Sequence, residues 1–192
     1  MDKTLYIIAG CNGAGKTTAS MNILPEILNC REFVNADEIA RGLSLFNPDG
    51  AAIQAGRLML QRIDMFVEGA KSFAIETTLA TRSYKELVIK AQKKGFKVQL
   101  LFFWLPSAEY AIRRVAQRVT EGGHNIPTDI VIRRYYKGIE NLFNIYMPIV
   151  DSWALIANDT NPPVIFANNI ENRVCIYNEE LYQRMKSYVG RG

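Results

Sequence analysis

Three groups of residues in this 192-residue chain have the types and spacing to do chemistry: a glycine loop with a lysine, carboxylates after apolar runs, and arginines around a glycine pair. The loop is Gly10-Cys11-Asn12-Gly13-Ala14-Gly15-Lys16-Thr17, followed by Thr18, and it fits G-x-x-x-x-G-K-[ST]. Glycines at these positions let successive backbone N–H groups turn inward, and a following helix N-terminus adds partial positive charge. The ligand that such a cradle suits is the phosphate chain of ATP or GTP. Gly10, Asn12, Gly13, Ala14, Gly15, Lys16, Thr17 and Thr18 form the expected nucleotide-binding set. Lys16 would reach the β- and γ-phosphates, and the Thr17 hydroxyl would hold Mg²⁺.

The carboxylates are Asp37, after the short apolar run Phe33–Asn35, and Glu76, after Ser72–Ile75. Carboxyl ends of parallel strands gather ligands, which places Asp37, Glu76 and the glycine loop at one edge. Asp37 is the expected general base, although Asp in this position also serves as an N-cap for a helix over 38–42. Glu76, Thr77 and Thr78 stand together as a candidate substrate-binding group. No Asp closes the strand Val98–Leu105, so an ordinary Walker B is missing, and Asp37 or Glu76 would have to help with the metal.

The arginines lie on two predicted helices flanking Glu121-Gly122-Gly123-His124-Asn125-Ile126-Pro127. The first carries Arg113, Arg114, Gln117 and Arg118 on one face. Arg114 and Arg118 are four apart, a like-charge spacing that costs stability unless an anion lies nearby. The second opens near Pro127 and carries Arg133 and Arg134. Arginine helix, glycine loop and arginine helix over 107–137 are the parts of a lid that closes on transferring phosphate. Arg118 and Arg134 are the expected catalytic arginines, beside Lys16 and Asp37, with His124 as a substrate contact. A solvated basic face, and a loop hydrogen-bonding role for His124, are the plain alternatives.

The elements that must position these groups alternate. Strands are expected at 4–9, 33–35, 72–75, 98–105, 153–156 and 164–167. Helices are expected at 19–28, 38–42, 82–94 and 179–189, with one from Ser107, one from about Thr128, and a long one before Gly69. In that long helix Ile53, Leu60, Ile63 and Val67 form the expected core stripe, flanked by Met59 and Phe66. The pattern predicts one α/β domain over 1–192. It is a three-layer P-loop fold with a central, mostly parallel sheet, similar to nucleotide kinases, carrying a helical lid. Hydrophobic content of 48% and charged content of 22% are ordinary for a globular protein. A net charge of +4, dispersed along the chain, suits anionic small substrates and argues nucleic acid unlikely. Cys11, Cys30 and Cys175 have no paired spacing, which points away from disulfides and zinc. With no visible leader and no membrane-length apolar run, the expected location is cytoplasmic.

Taken together, Gly10 to Thr18, Val34-Asn35-Ala36-Asp37, Ala74-Ile75-Glu76-Thr77 and the Arg118-to-Tyr135 block resemble the zeta-toxin-like P-loop kinases. The stretch from Trp153 to Asp159 is similar to a drifted Asp-Asn-Ser turn of such chains. The resemblance covers most of the chain. It implies transfer of a γ-phosphoryl group from ATP or GTP to a hydroxyl, in known members that of a UDP-linked amino sugar, and an antitoxin as protein partner. By matching motif, Asp37 is implied as base, Glu76 as substrate holder, and Lys16 and Thr17 as nucleotide and metal ligands. The chain departs from the toxins around the second lid arginine, where Arg133 and Arg134 stand downstream of His124. Three other functions compete: a nucleotide-dependent regulatory NTPase, a kinase for nucleic-acid ends using Tyr135-Tyr136-Lys137, and a kinase for a metabolite or antibiotic.

Overall fold

A computed structural model describes residues 3–123, 125–171 and 173–191. Seven strands form one sheet in the order β2-β3-β1-β4-β5-β6-β7. They are β1 (Thr4–Gly10), β2 (Phe33–Val34), β3 (Phe73–Thr77), β4 (Lys97–Trp104), β5 (Ser152–Ala157), β6 (Val164–Ile170) and β7 (Arg173–Ile176). The first five pair in parallel, and β6 and β7 are added antiparallel at one side. Parallel pairing carries the ends of β1 to β5 to one edge. In register, Ile8 faces Glu76, and Gly10 faces Phe103.

The strands read as they do because both sheet faces are covered. Every residue of β1 is buried, the near-continuous apolar run of an interior parallel strand. β4 lies in the middle of the sheet, as its apolar sequence predicts. The flanking helices are α1 (Lys16–Asn22), α2 (Ala36–Leu43), α3 (Pro48–Glu68), α4 (Tyr84–Lys93), α5 (Ala108–Thr120), α6 (Thr128–Asn141) and α7 (Glu179–Lys186). One core runs through the sheet and most of these helices, with Trp104, Tyr135, Tyr146, Phe73, Phe103 and Phe166 among its largest fully buried side chains.

Several expected boundaries move. The first helix starts at Lys16, directly off the loop. It then widens into a π turn, Ile23–Ile27, closed by the Leu28 N–H on the Ile23 carbonyl at 3.0 Å. Pro25 sits in that turn and has no N–H for the α ladder. In α3, Ile53 and Leu60 are exposed, and the buried stripe is Ala51, Ala55, Met59, Ile63, Phe66 and Val67. The i, i+4 alanines escape a search for large apolar residues, yet they let α2 pack closely. Ala116 of α5 is likewise exposed, because its core seam is Ala108, Ala111 and Val115. The last strand, β7, was not expected from the sequence: only its Cys175 is less than exposed, so no apolar alternation marks it.

Candidate active site

The glycines of the loop are needed for three different reasons. At Gly10 a Cβ would lie 2.2 Å from the Phe103 carbonyl oxygen of β4. At Gly13, with φ +78°, it would lie 2.9 Å from the Ala111 carbonyl of α5. Gly15 takes a left-handed conformation, φ 75°, as the N-cap of α1, where an L side chain is strained. The loop is thus enclosed by β4, α5 and the sheet edge.

Lys16 is 6% exposed despite its charge. Its Nζ donates to the Cys11 carbonyl at 3.0 Å and lies 3.6 Å from Glu76 Oε1. Thr17 Oγ1 donates to the other oxygen, Glu76 Oε2, at 2.8 Å. Both Glu76 oxygens therefore lie against the two residues expected to meet nucleotide and metal. Hydroxyl and carboxylate oxygens are the hard donors that Mg²⁺ takes in small number, keeping waters and phosphate oxygens for the remaining positions. No group of three or more His, Cys, Asp or Glu able to hold a metal occurs among the described residues. Cys11 faces the protein interior, and burial pushes its thiol up to about 11, against the opposing pull of Lys16 and Arg114.

Asp37 lies in the first turn of α2, and the N-cap is Asn35. The Asn35 side chain accepts from the backbone N–H groups of Asp37 at 2.9 Å and Glu38 at 3.4 Å. The capping alternative for Asp37 gives way to this arrangement, in which Asn35 is the cap and Asp37 lines the cleft. A cleft of about 520 Å³ joins these parts. On one side it is lined by Asn12, Gly13, Gly15, Lys16, Thr17, Thr18 and Glu76, and on another by Asn35, Asp37, Glu38, Arg41, Pro48 and Asp49 of the α2–α3 region. Its third side is α5 and the following loop: Arg114, Gln117, Arg118, Glu121 and Gly123.

The expected residues therefore separate. Gly10 and Ala14 shape the loop without lining the cleft. Arg118 lines it, while Arg134 is not among the lining residues and donates from Nη1 to Asn12 Oδ1 at 3.2 Å. Thr77 and Thr78 are not among the lining residues. The Thr77 hydroxyl accepts from the Leu79 N–H at 3.0 Å and holds the turn after β3, and the Thr78 carbonyl packs where a Cβ on Gly138 would approach to 2.6 Å. His124 lies outside the described residues. Arg114, on the arginine face of α5 but not among the expected catalytic arginines, lines the cleft with its guanidinium 3.5 Å from the Cβ position of Gly15.

Helix α6 is rooted in the core. Tyr135 is 1% exposed, donates to the Leu105 carbonyl at 2.8 Å and accepts from Trp104 Nε1 at 3.1 Å. Tyr136 packs edge-on against Tyr135 and Tyr188, and Lys137 pairs with Glu140 at 2.8 Å. The cluster that a nucleic-acid-end kinase would need for stacking is thus occupied internally.

A family model described as AAA domain matches residues 5–140. The chain belongs to that family. An uncharacterized protein of Haemophilus influenzae is 30% identical over 135 residues, 70% of this chain and 94% of that protein. Among solved structures, the AvrRxo1-ORF1:AvrRxo1-ORF2 complex with ATP is similar over 97% of this chain and 64% of that one, with a TM-score of 0.80 and 19% identity. This chain thus spans about two thirds of that neighbour's length. A structure of the PezAT chromosomal toxin-antitoxin system of Streptococcus pneumoniae is similar over 97% of this chain and 86% of that one, at TM-score 0.64 and 16% identity. At such identities the likeness is one of fold: a mostly parallel sheet with flanking helices, as in P-loop kinases. No helix among the described residues is long and apolar enough to cross a membrane.

Proposed function

We propose that this AAA-domain protein is an ATP- or GTP-dependent kinase that transfers a γ-phosphoryl group to a hydroxyl of a small molecule. The observation that carries this reading is the cleft itself, in which the phosphate loop stands between the Asp37 wall and the Arg114–Arg118 face of α5. A hydrolase needs only a way in for water. A transferase needs an acceptor wall opposite the phosphates, a carboxylate on it, and a cover that keeps water out.

In this mechanism the loop N–H groups and Lys16 hold the phosphate chain. Thr17 and Glu76 would hold Mg²⁺, which when bound neutralises charge between the β- and γ-phosphates. Asp37 accepts the proton of the acceptor hydroxyl as its oxygen bonds to phosphorus and the bond to the β-phosphate oxygen breaks. Arg114 and Arg118 bring charge to the transferring group, with Arg134 holding Asn12 behind it. The resemblance points to a UDP-linked amino sugar as acceptor. The acceptor wall has Asp37, Glu38 and Asp49 against a single Arg41, whose Nη1 is 3.5 Å from Glu38. Amine-bearing polyols therefore belong in the same panel. A protein partner of antitoxin type is also proposed, on the support that similar folds come from an ORF1:ORF2 complex and from a toxin-antitoxin system.

The test is transfer of label from γ-labelled ATP and GTP to UDP-sugars, amine-bearing polyols, nucleosides and oligonucleotides, with Lys16→Ala beside the wild type. A labelled small molecule, lost in Lys16→Ala, is the expected result. Free phosphate alone across the panel would favour the regulatory NTPase.

A further inference from the structure

Asn158 directly follows β5, at the sheet edge that carries the site. Its backbone N–H donates to the Trp104 carbonyl at 3.0 Å, fixing it to the end of β4. Its side-chain Nδ2 donates to the Ala14 carbonyl at 2.6 Å, across 144 positions of sequence. A carbonyl oxygen only accepts, so the amide nitrogen has to face it. The Ala14 carbonyl shares a peptide plane with the Gly15 N–H, and in a trans peptide the two point in opposite directions. A donor that draws the Ala14 oxygen toward β5 turns the Gly15 N–H away from β5. Gly15 lines the cleft, and inward backbone N–H groups are what holds phosphate oxygens in such loops. The fit is close: a Cβ on Gly15 would lie 2.5 Å from Asn158 Nδ2.

We infer that Asn158 is a positioning residue for the phosphate cradle. It fixes the Ala14–Gly15 peptide so that a bound nucleotide meets a donor already in place, and it acts through the loop without touching the nucleotide. This rests on the nucleotide-binding reading of the cleft given above. Preorganised donors raise affinity because the ordering cost is met before binding.

The test is titration of fluorescent ATP and GTP analogues into wild type, Asn158→Leu and Asn158→Asp, with apo melting temperatures measured in parallel. Asn158→Leu keeps the shape and removes the donor. Loss of one such hydrogen bond predicts roughly fivefold to tenfold weaker binding, equal for ATP and GTP, with an unchanged acceptor KM. Asn158→Asp sets a carboxylate oxygen against the carbonyl and should lose at least as much. Unchanged affinity in Asn158→Leu would overturn the inference. So would a shift in the ATP-to-GTP ratio, which would make Asn158 a reader of the base. If Asn158→Leu lowers the melting temperature, the near-isosteric Asn158→Asp decides by the same two readouts. A wild type that binds nucleotide but labels no acceptor ends the kinase reading and leaves this inference standing. A wild type that transfers phosphate, with Asn158→Leu binding equally well, ends this inference alone.

Discussion

The two sides of the cleft are built on different principles. The phosphate side is enclosed by the main core and determined by backbone: Gly10 against the Phe103 carbonyl, Gly13 against the Ala111 carbonyl, and Ala14 tied to Asn158. Its lysine and glutamate are nearly buried and held at several points. The proposed acceptor side is the α2–α3 pair, joined by a small separate cluster of Ala40, Ala51 and Ala55 with Ile39 beside it. Around that pair Leu43, Leu45, Phe46 and Ile53 are exposed. A preformed cradle suits a ligand common to many enzymes. A thin, side-chain-lined wall suits an acceptor that differs between them, since it can change without disturbing the core.

This contrast predicts that variants on the two sides fail differently. The largest effect is expected from Lys16→Ala, which should weaken nucleotide binding and lower transfer together by about a hundredfold or more. Equal nucleotide affinity in that variant, by calorimetry, would break the assignment of the buried lysine to the phosphates. Arg114→Ala should lower kcat by about tenfold to a hundredfold. Arg134→Ala, acting only through Asn12, should cost about fivefold; a reversed order would place the catalytic arginine on α6. On the other side, Ala55→Leu overfills the α2–α3 seam, at a cost of about 1–3 kcal/mol. It should raise the acceptor KM and leave the nucleotide Kd unchanged, and a weakened nucleotide Kd would show that the two sides are mechanically one. The smallest effect concerns Cys11. With its folded pKa raised by burial to about 11, the thiol stays protonated at pH 8. Iodoacetamide labelling followed by peptide mass analysis should modify the partly exposed Cys175 first.

The same contrast explains what was legible in the sequence. Backbone-determined features leave a pattern of residue types: the glycine spacing and Lys16-Thr17 located the cradle, and buried parallel strands read as apolar runs. Features set by tertiary contact left little trace. Asn158 reads as part of a drifted Asp-Asn-Ser turn, but its contact with the glycine loop leaves no trace, because its partner lies 144 positions away. Arg114 is legible as one of several arginines on a helix face, with nothing in the spacing to rank it above Arg118. Thr77 and Thr78 read as site residues because they follow Glu76, yet a parallel strand end must also turn, and the Thr77 hydroxyl holds that turn. The alanine seam of α3 was missed for a related reason: small residues carry close packing but little hydrophobic signal, so Ile53 and Leu60 took their place in the expected stripe.

The central claim is that the acceptor wall supplies the base while the opposite side binds the nucleotide. Asp37→Asn tests it most directly, with nucleotide Kd and transfer rate measured on the same preparation. The account predicts a rate lower by on the order of 10²- to 10⁴-fold at an unchanged Kd. A rate close to wild type, or a Kd that weakens in step with the rate, would contradict it.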